Sequence, residues 1–308
     1  MKKEILTSLH GNKIGLSRDN SLIINGEQAF PLPNPTGAMD YFVDGNRSAS
    51  GDGLSWGGSY KTLAAAITAS NASIALTANR WWARRNRIFV VGDSITENLA
   101  AIPQKCDVIG LGSCDAYPMA SIKGNHAPLT EMFGCRFYNV RFIPATAAVI
   151  WTLIANNNGI KFIGCQGVGS QDAITATSFI STTATELLDV IDCDIDGAFS
   201  GDIIAIGAGN ASGLKIIGNN IRGGANDGIV IDAGATYTSV NGLPIIKKNT
   251  IQVAGCTIRD APDNAIVTDN DLISAAANGT ASLDINKRYA ARNWCTDATK
   301  EGWYPPVE

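Results

Sequence analysis

A short strand returns five times in the second half of the chain, each time carrying a thiol or an amide among apolar residues. Phe133-Gly134-Cys135-Arg136-Phe137, Phe162-Ile163-Gly164-Cys165, Ile191-Asp192-Cys193-Asp194-Ile195, Ile217-Gly218-Asn219-Asn220-Ile221 and Val253-Ala254-Gly255-Cys256-Thr257-Ile258 read as variants of one rung. From Cys135 through Cys165, Cys193 and Asn220 to Cys256 the successive intervals are 30, 28, 27 and 36 residues. One such strand with its Gly, Asn and Asp turns cannot bury its apolar side alone. A near-fixed return therefore specifies a solenoid whose turns stack on one another. Cys135, Cys165, Cys193, Asn220 and Cys256 are expected to form one inward core ladder.

The bulk properties agree with a stacked fold. In 308 residues the apolar fraction is 45% and the charged fraction only 17%, ample for a core. The 32 glycines suit a chain that turns a corner every few residues. A net charge of −4 gives no general attraction to nucleic acid or to an anionic membrane, so neither is an expected partner. Met1-Lys2-Lys3 opens like a signal peptide, but the apolar run fails by Ser8-Leu9-His10, which predicts no export signal and synthesis in a reducing host cytoplasm. The seven cysteines then read as buried thiols that act as small hydrophobes.

Residues 1–38 form an N-terminal segment. Lys13 to Leu16 and Ser21 to Ile24 read as a small β-hairpin, and Pro31, Pro33 and Pro35 as a stiff linker. Residues 39–86 hold an entry strand, a Gly/Asp-rich loop and a helix whose Leu63, Ala66, Ile67 and Ser70 share one face. The solenoid is expected over 87–283 and a C-terminal cap or tail over 284–308. About eight coils fit between Ile88 and Ile273.

The entry segment carries a resemblance. Tyr41-Phe42-Val43-Asp44, then Lys61-Thr62-Leu63-Ala64-Ala65-Ala66-Ile67, then Arg87 to Leu99 with Ile102-Pro103 and Val108 to Gly112, resemble the start of pectate-lyase-like right-handed parallel β-helix proteins. The resemblance covers roughly residues 41 to 275. It implies an all-β, right-handed parallel β-helix with an N-terminal cap helix. It is specific for fold and not for activity, because lyases, hydrolases and adhesive scaffolds share that architecture.

Several motifs are candidates for chemistry. Gly92-Asp93-Ser94-Ile95-Thr96 is similar to the nucleophile block of SGNH hydrolases, but the two histidines are His10 and His126, and none follows to serve as a late base. A solenoid corner is the competing assignment. Asp192, Asp194 and Asp196 alternate with Ile191, Cys193 and Ile195, which on a strand puts three carboxylates on one face. With Arg222 on the next rung, Asp192 and Asp194 are the residues to test if the protein is an enzyme. A carboxylate row also offers oxygen ligands to Ca²⁺, although no cofactor is required. Trp81, Trp82, Asp196 and Asp227 are candidate binding residues. Without an export signal the β-helix resembles a bacteriophage virion surface protein, a capsid decoration or tail spike. It is expected to be a non-enzymatic homotrimer, held to other virion proteins through residues 1–36 and in contact with host polysaccharide. A polysaccharide depolymerase or lyase is the alternative, and a bacterial carbohydrate-binding protein a second one.

Overall fold

The computed structural model describes residues 7–9, 12–16, 22–24, 27–28, 38–75, 85–112, 120–129, 132–154, 157–238, 241–262, 264–275, 283–284, 290–296 and 301–304. Trp81, Trp82 and the proline linker lie outside them. The chain is a right-handed parallel β-helix. Its first sheet has ten strands, from Asp40–Asp44 to Ala290–Ala291. The second also has ten, from Ile95–Thr96 to Glu301–Tyr304, and the third has six, from Trp151–Leu153 to Leu283–Asp284. From the coil of Arg136–Tyr138 onward, six coils pass from the first sheet round a tight corner to the second, then through loops to the third. Between Ile88 and Ile273 the first and second sheets contribute eight coils, as expected from the repeat.

In-register stacking follows from the alternation within each strand. Asn86–Val91 alternates buried and half-buried residues, and Thr250–Val253 exposed and buried ones. Inward residues then lie over one another: Phe137 on Phe162, Phe162 on Val190, Val190 on Ile216. Phe137, Phe142, Trp151, Phe162 and Phe179 fill the middle coils, with the Phe137 and Phe162 rings stacked at 5.5 Å. His126 sits among them, fully buried, its ring 4.4 Å from that of Trp151. Its Nδ1 accepts the Leu99 N–H at 3.2 Å, and burial pushes its pKa down to about 3.

The corner between first and second sheets fixes the register. Asn139, Gly164, Asp192, Gly218, Lys248, Asp269 and Arg292 occupy it in successive coils, with φ between 51° and 72°. This left-handed residue reverses the strand's facing, so the residue after it points inward. In four coils that residue is asparagine: Asn219, Asn249, Asn270 and Asn293, all buried. Asn249 Oδ1 accepts the Asn219 N–H at 2.9 Å, while its Nδ2 donates to Ile216 O and Asn270 Oδ1, both at 2.9 Å. Asn219, Asn270 and Asn293 repeat the pattern. In two earlier coils a thiol replaces the amide: Cys165 Sγ lies 3.4 Å from Phe137 O and Cys193 Sγ 3.5 Å from Phe162 O, the equivalent carbonyls.

The expected ladder therefore needs correction. Cys165 and Cys193 belong to it, but Asn219 takes the place assigned to Asn220. Asn220 comes one residue after the inward position and turns out, where its Nδ2 donates to Asp194 Oδ1 at 2.9 Å. Cys135 lies at the opposite end of its strand, ahead of Arg136–Tyr138. Cys256 lies at the corner before the third-sheet strand Ile258–Asp260, where Gly228 N donates to its carbonyl at 2.9 Å. All four cysteines are nonetheless buried thiols, and burial raises the Cys135 and Cys193 thiols.

The ends are covered. The helix Leu63–Ala75 buries Leu63, Ala66, Ile67, Ser70 and Ile74 over the first coils. Its N-terminus is capped from a distance: Glu97 accepts the Leu63 N–H at 2.7 Å and the Ala64 N–H at 3.0 Å. Burial, outweighing those two donors, raises the Glu97 carboxyl above its ordinary value. At the other end the parallel stack continues past the expected boundary at 283 to Asn293–Thr296, where Glu301–Tyr304 pairs antiparallel and closes the edge. The N-terminal hairpin is the middle of a four-stranded antiparallel sheet, Asn12–Leu16 pairing with Leu22–Ile24. Among the described residues no helix is long and apolar enough to cross a membrane.

Candidate functional site

The outer face of the second sheet carries the densest polar cluster suggested by the sequence. Asp194 and Asp196 flank the inward Ile195 and so project outward from one strand. One coil on, Asn220 pairs in register with Asp194, which places Arg222 beside Asp196. Arg222 Nη2 lies 3.4 Å from Asp194 Oδ1 and 3.3 Å from Asp196 Oδ2, bridging the two carboxylates. All three side chains are about half exposed, so this ion triad contributes little to stability and remains open to a ligand. In the next coil Gln252 stands in register with Arg222, and Ile273 follows it.

A bulge opens space beside this column. The register shifts between Arg222 and Gly224. Gly223 makes the shift with φ 85°, and a Cβ there would meet Gly197 O at 2.6 Å, so only glycine fits. The result is a shallow hollow of about 440 Å³ lined by Asp196, Arg222, Gln252, Val253, Ile273 and Ser274. Arg222 Nε is buried and, among the described residues, makes no hydrogen bond.

Other predicted site residues lie elsewhere. Asp192 occupies the left-handed corner, φ 51°, and its N–H donates to Ile217 O at 2.9 Å. The three carboxylates therefore do not form one row, because the corner interrupts the strand alternation between Asp192 and Asp194. Asp227 is not a surface ligand: it is buried, accepts the Cys256 N–H at 2.7 Å and pairs with Arg259 at 2.9 Å. Asp93 and Ser94 are exposed at a corner while His126 is enclosed in the core, so Gly92-Asp93-Ser94 forms no triad with it. Trp81 and Trp82 are outside the described residues. Gln252, Ile273 and the bulge were missed by sequence reasoning; the adjacent Gly223-Gly224 inside a strand was the available signal.

Neither a family model nor a curated protein sequence matches the chain. Among solved structures it is similar to a mutant of DFA-IIIase from Arthrobacter chlorophenolicus A6, crystallised in complex with DFA-III. Identity is 12%, 83% of this chain and 67% of that chain are covered, and the TM-score is 0.42. No activity is transferred on that likeness.

Proposed function

We propose that this β-helix protein binds an extended polysaccharide along the outer face of its second sheet. The observation that carries the proposal is the column Asp196, Arg222, Gln252: acceptor, donor and amide on successive coils, about 4.8 Å apart, beside the hollow at the bulge. That spacing is close to one pyranose unit. Carboxylate, guanidinium and carboxamide together match the paired hydroxyls of a sugar, and Ile273 offers an apolar contact for a ring face. Arg222→Ala is expected to weaken binding to host capsule or lipopolysaccharide at least about tenfold in calorimetry, the effect of one lost charged hydrogen-bond donor. Equal binding by wild type and variant would remove the site.

A hydrolytic reading has one observation in its favour. Asp194 and Asp196 both face a single guanidinium nitrogen, so the two carboxyls are close enough to flank one glycosidic bond. Release of reducing ends without unsaturated uronate, lost in Asp194→Ala, would establish hydrolysis.

The virion-surface setting implied by the resemblance belongs to the same proposal. It is supported by the N-terminal strands, which pair into a four-stranded antiparallel sheet of their own, as an element for attachment would. Deleting residues 1–36 is expected to abolish incorporation into particles and leave the solenoid's circular dichroism unchanged. Particles that still carry the truncated protein would refute the attachment role.

A further inference from the structure

The outward face of the second sheet continues past the hollow toward the C-terminal end. Asn220 pairs in register with Thr250, Thr250 with Asp271 and Asp271 with Trp294. The closing strand Glu301–Tyr304 then sets Trp303 directly opposite Trp294. Residues paired in this way project from one side of a sheet, so both indoles share the outer face with Arg222 and Gln252. The rings meet edge to face, 5.2 Å between centroids at 81°. Trp294 is half-buried, whereas Trp303 is 55% exposed. The opposite end of the face is covered by the hairpin of Ser170–Gln171 and Ile174–Thr175. Gln171 accepts a hydrogen bond from Arg141 Nη2 at 3.2 Å, and Asp172 pairs with Lys123 at 3.0 Å. Arg141 is buried there although its strand turns it outward. The open stretch therefore runs from Asp194 to Trp303, five strand spacings or about 24 Å.

Resting on the polysaccharide reading of the Asp196, Arg222, Gln252 column, we propose that Trp303, held by Trp294, is the aromatic platform at the C-terminal end of that site, and that the bound chain carries no acidic groups. The electron-rich face of an indole takes the C–H side of a pyranose ring. The column supplies partners for hydroxyls but, apart from Ile273, no surface for a ring. The tryptophan pair supplies that surface about 14 Å from Asn220, three coils along the same face. Continuity decides the occupant: the register that spaces the column by about one sugar per coil leads directly onto the two rings.

The charges of the face select the class of sugar. Among the described residues, Asp194, Asp196, Asp271 and Glu301 project from the open stretch against one cation, Arg222. Arg222 is itself shared between two of those carboxylates. Along the adjoining corner Asp192 and Asp269 offset Lys248 and Arg292, so the corner does not reverse the sign. A uronate, sulfate or phosphate on the chain meets a net negative surface. Sugar hydroxyls instead donate to the carboxylates.

Calorimetry of the full chain with purified capsule or lipopolysaccharide, run beside Arg222→Ala, tests the platform. Trp303→Ala is expected to weaken binding about tenfold or more, and Trp303→Phe to recover most of the loss. Bound polysaccharide should also shield tryptophan fluorescence from acrylamide quenching, and that shielding should shrink in Trp303→Phe, which still binds. Polysaccharides with uncharged repeats are expected to bind more tightly than those with uronate repeats; the reverse order would overturn the assigned class. Loss in Arg222→Ala but not in Trp303→Ala would overturn the platform and leave the column standing. No binding by the wild type, or equal binding by all three proteins, would remove both. A changed sedimentation coefficient in Trp303→Ala would make the pair a contact between subunits and overturn the inference as well.

Discussion

Asn249→Leu is expected to lower the stability of the solenoid by about 2–5 kcal/mol. Leucine has a similar volume, so the loss is one of hydrogen bonds more than of packing. It strands the Asn219 N–H, whose acceptor is the Asn249 amide at 2.9 Å, and takes from the Ile216 carbonyl the bond it receives from that amide at 2.9 Å. It also removes one of the two bonds that hold the Asn219 Nδ2 group. Each buried group left without a partner costs about 1–3 kcal/mol. A stack of coils transmits the damage to its nearest neighbours, so hydrogen exchange should accelerate first in the strands Lys215–Ile217 and Ile245–Lys247 that flank the position. Asn220→Leu, one residue from the inward position of the coil before, should cost far less because that side chain faces outward. Equal losses in urea unfolding for the two variants would contradict the ladder as the source of the stability.

Acidification should destabilise the protein through His126 before most carboxylates titrate. Folded His126 takes up a proton only near about 3, whereas its ordinary value is 6.5. Between those values the unfolded chain binds the extra proton, so stability rises with pH across the window and is lost as pH falls through it. The slope is about 1.4 kcal/mol per pH unit. The cause is burial among Trp151 and Phe142, at 4.4 and 5.8 Å between rings, where an imidazolium finds no counter-charge. Glu97 acts in the opposite sense. Its raised carboxyl contributes stability below its ordinary 4.5 that fades as pH rises above it. The difference between wild type and His126→Gln therefore isolates the histidine. That difference should shift steadily toward the variant as pH drops from 6.5 to about 5, in urea midpoints measured at each pH. A variant with the wild-type pH slope would rule His126 out.

The sequence alone determined the solenoid, its coil number, the cap helix with its buried Leu63, Ala66, Ile67 and Ser70, and the outward placement of Asp194 and Asp196. Each of these depends on periodicity within a few residues, which side chains and turn residues encode directly. Only the tertiary structure decided which amide faces inward. A left-handed residue at each corner shifts the facing by one, and in a strand a one-residue slip exchanges the two faces. Asn219 and Asn220 are alike as residues, and Gly218 at the corner separates their fates. The same limit applies to the sites. Arg222 and Gln252 are 30 residues apart in the chain, and Asp194 and Trp294 share a column only because every coil between them stacks in register. Coils of unequal length hide that register from the sequence, and the backbone hydrogen bonds between neighbouring coils restore it.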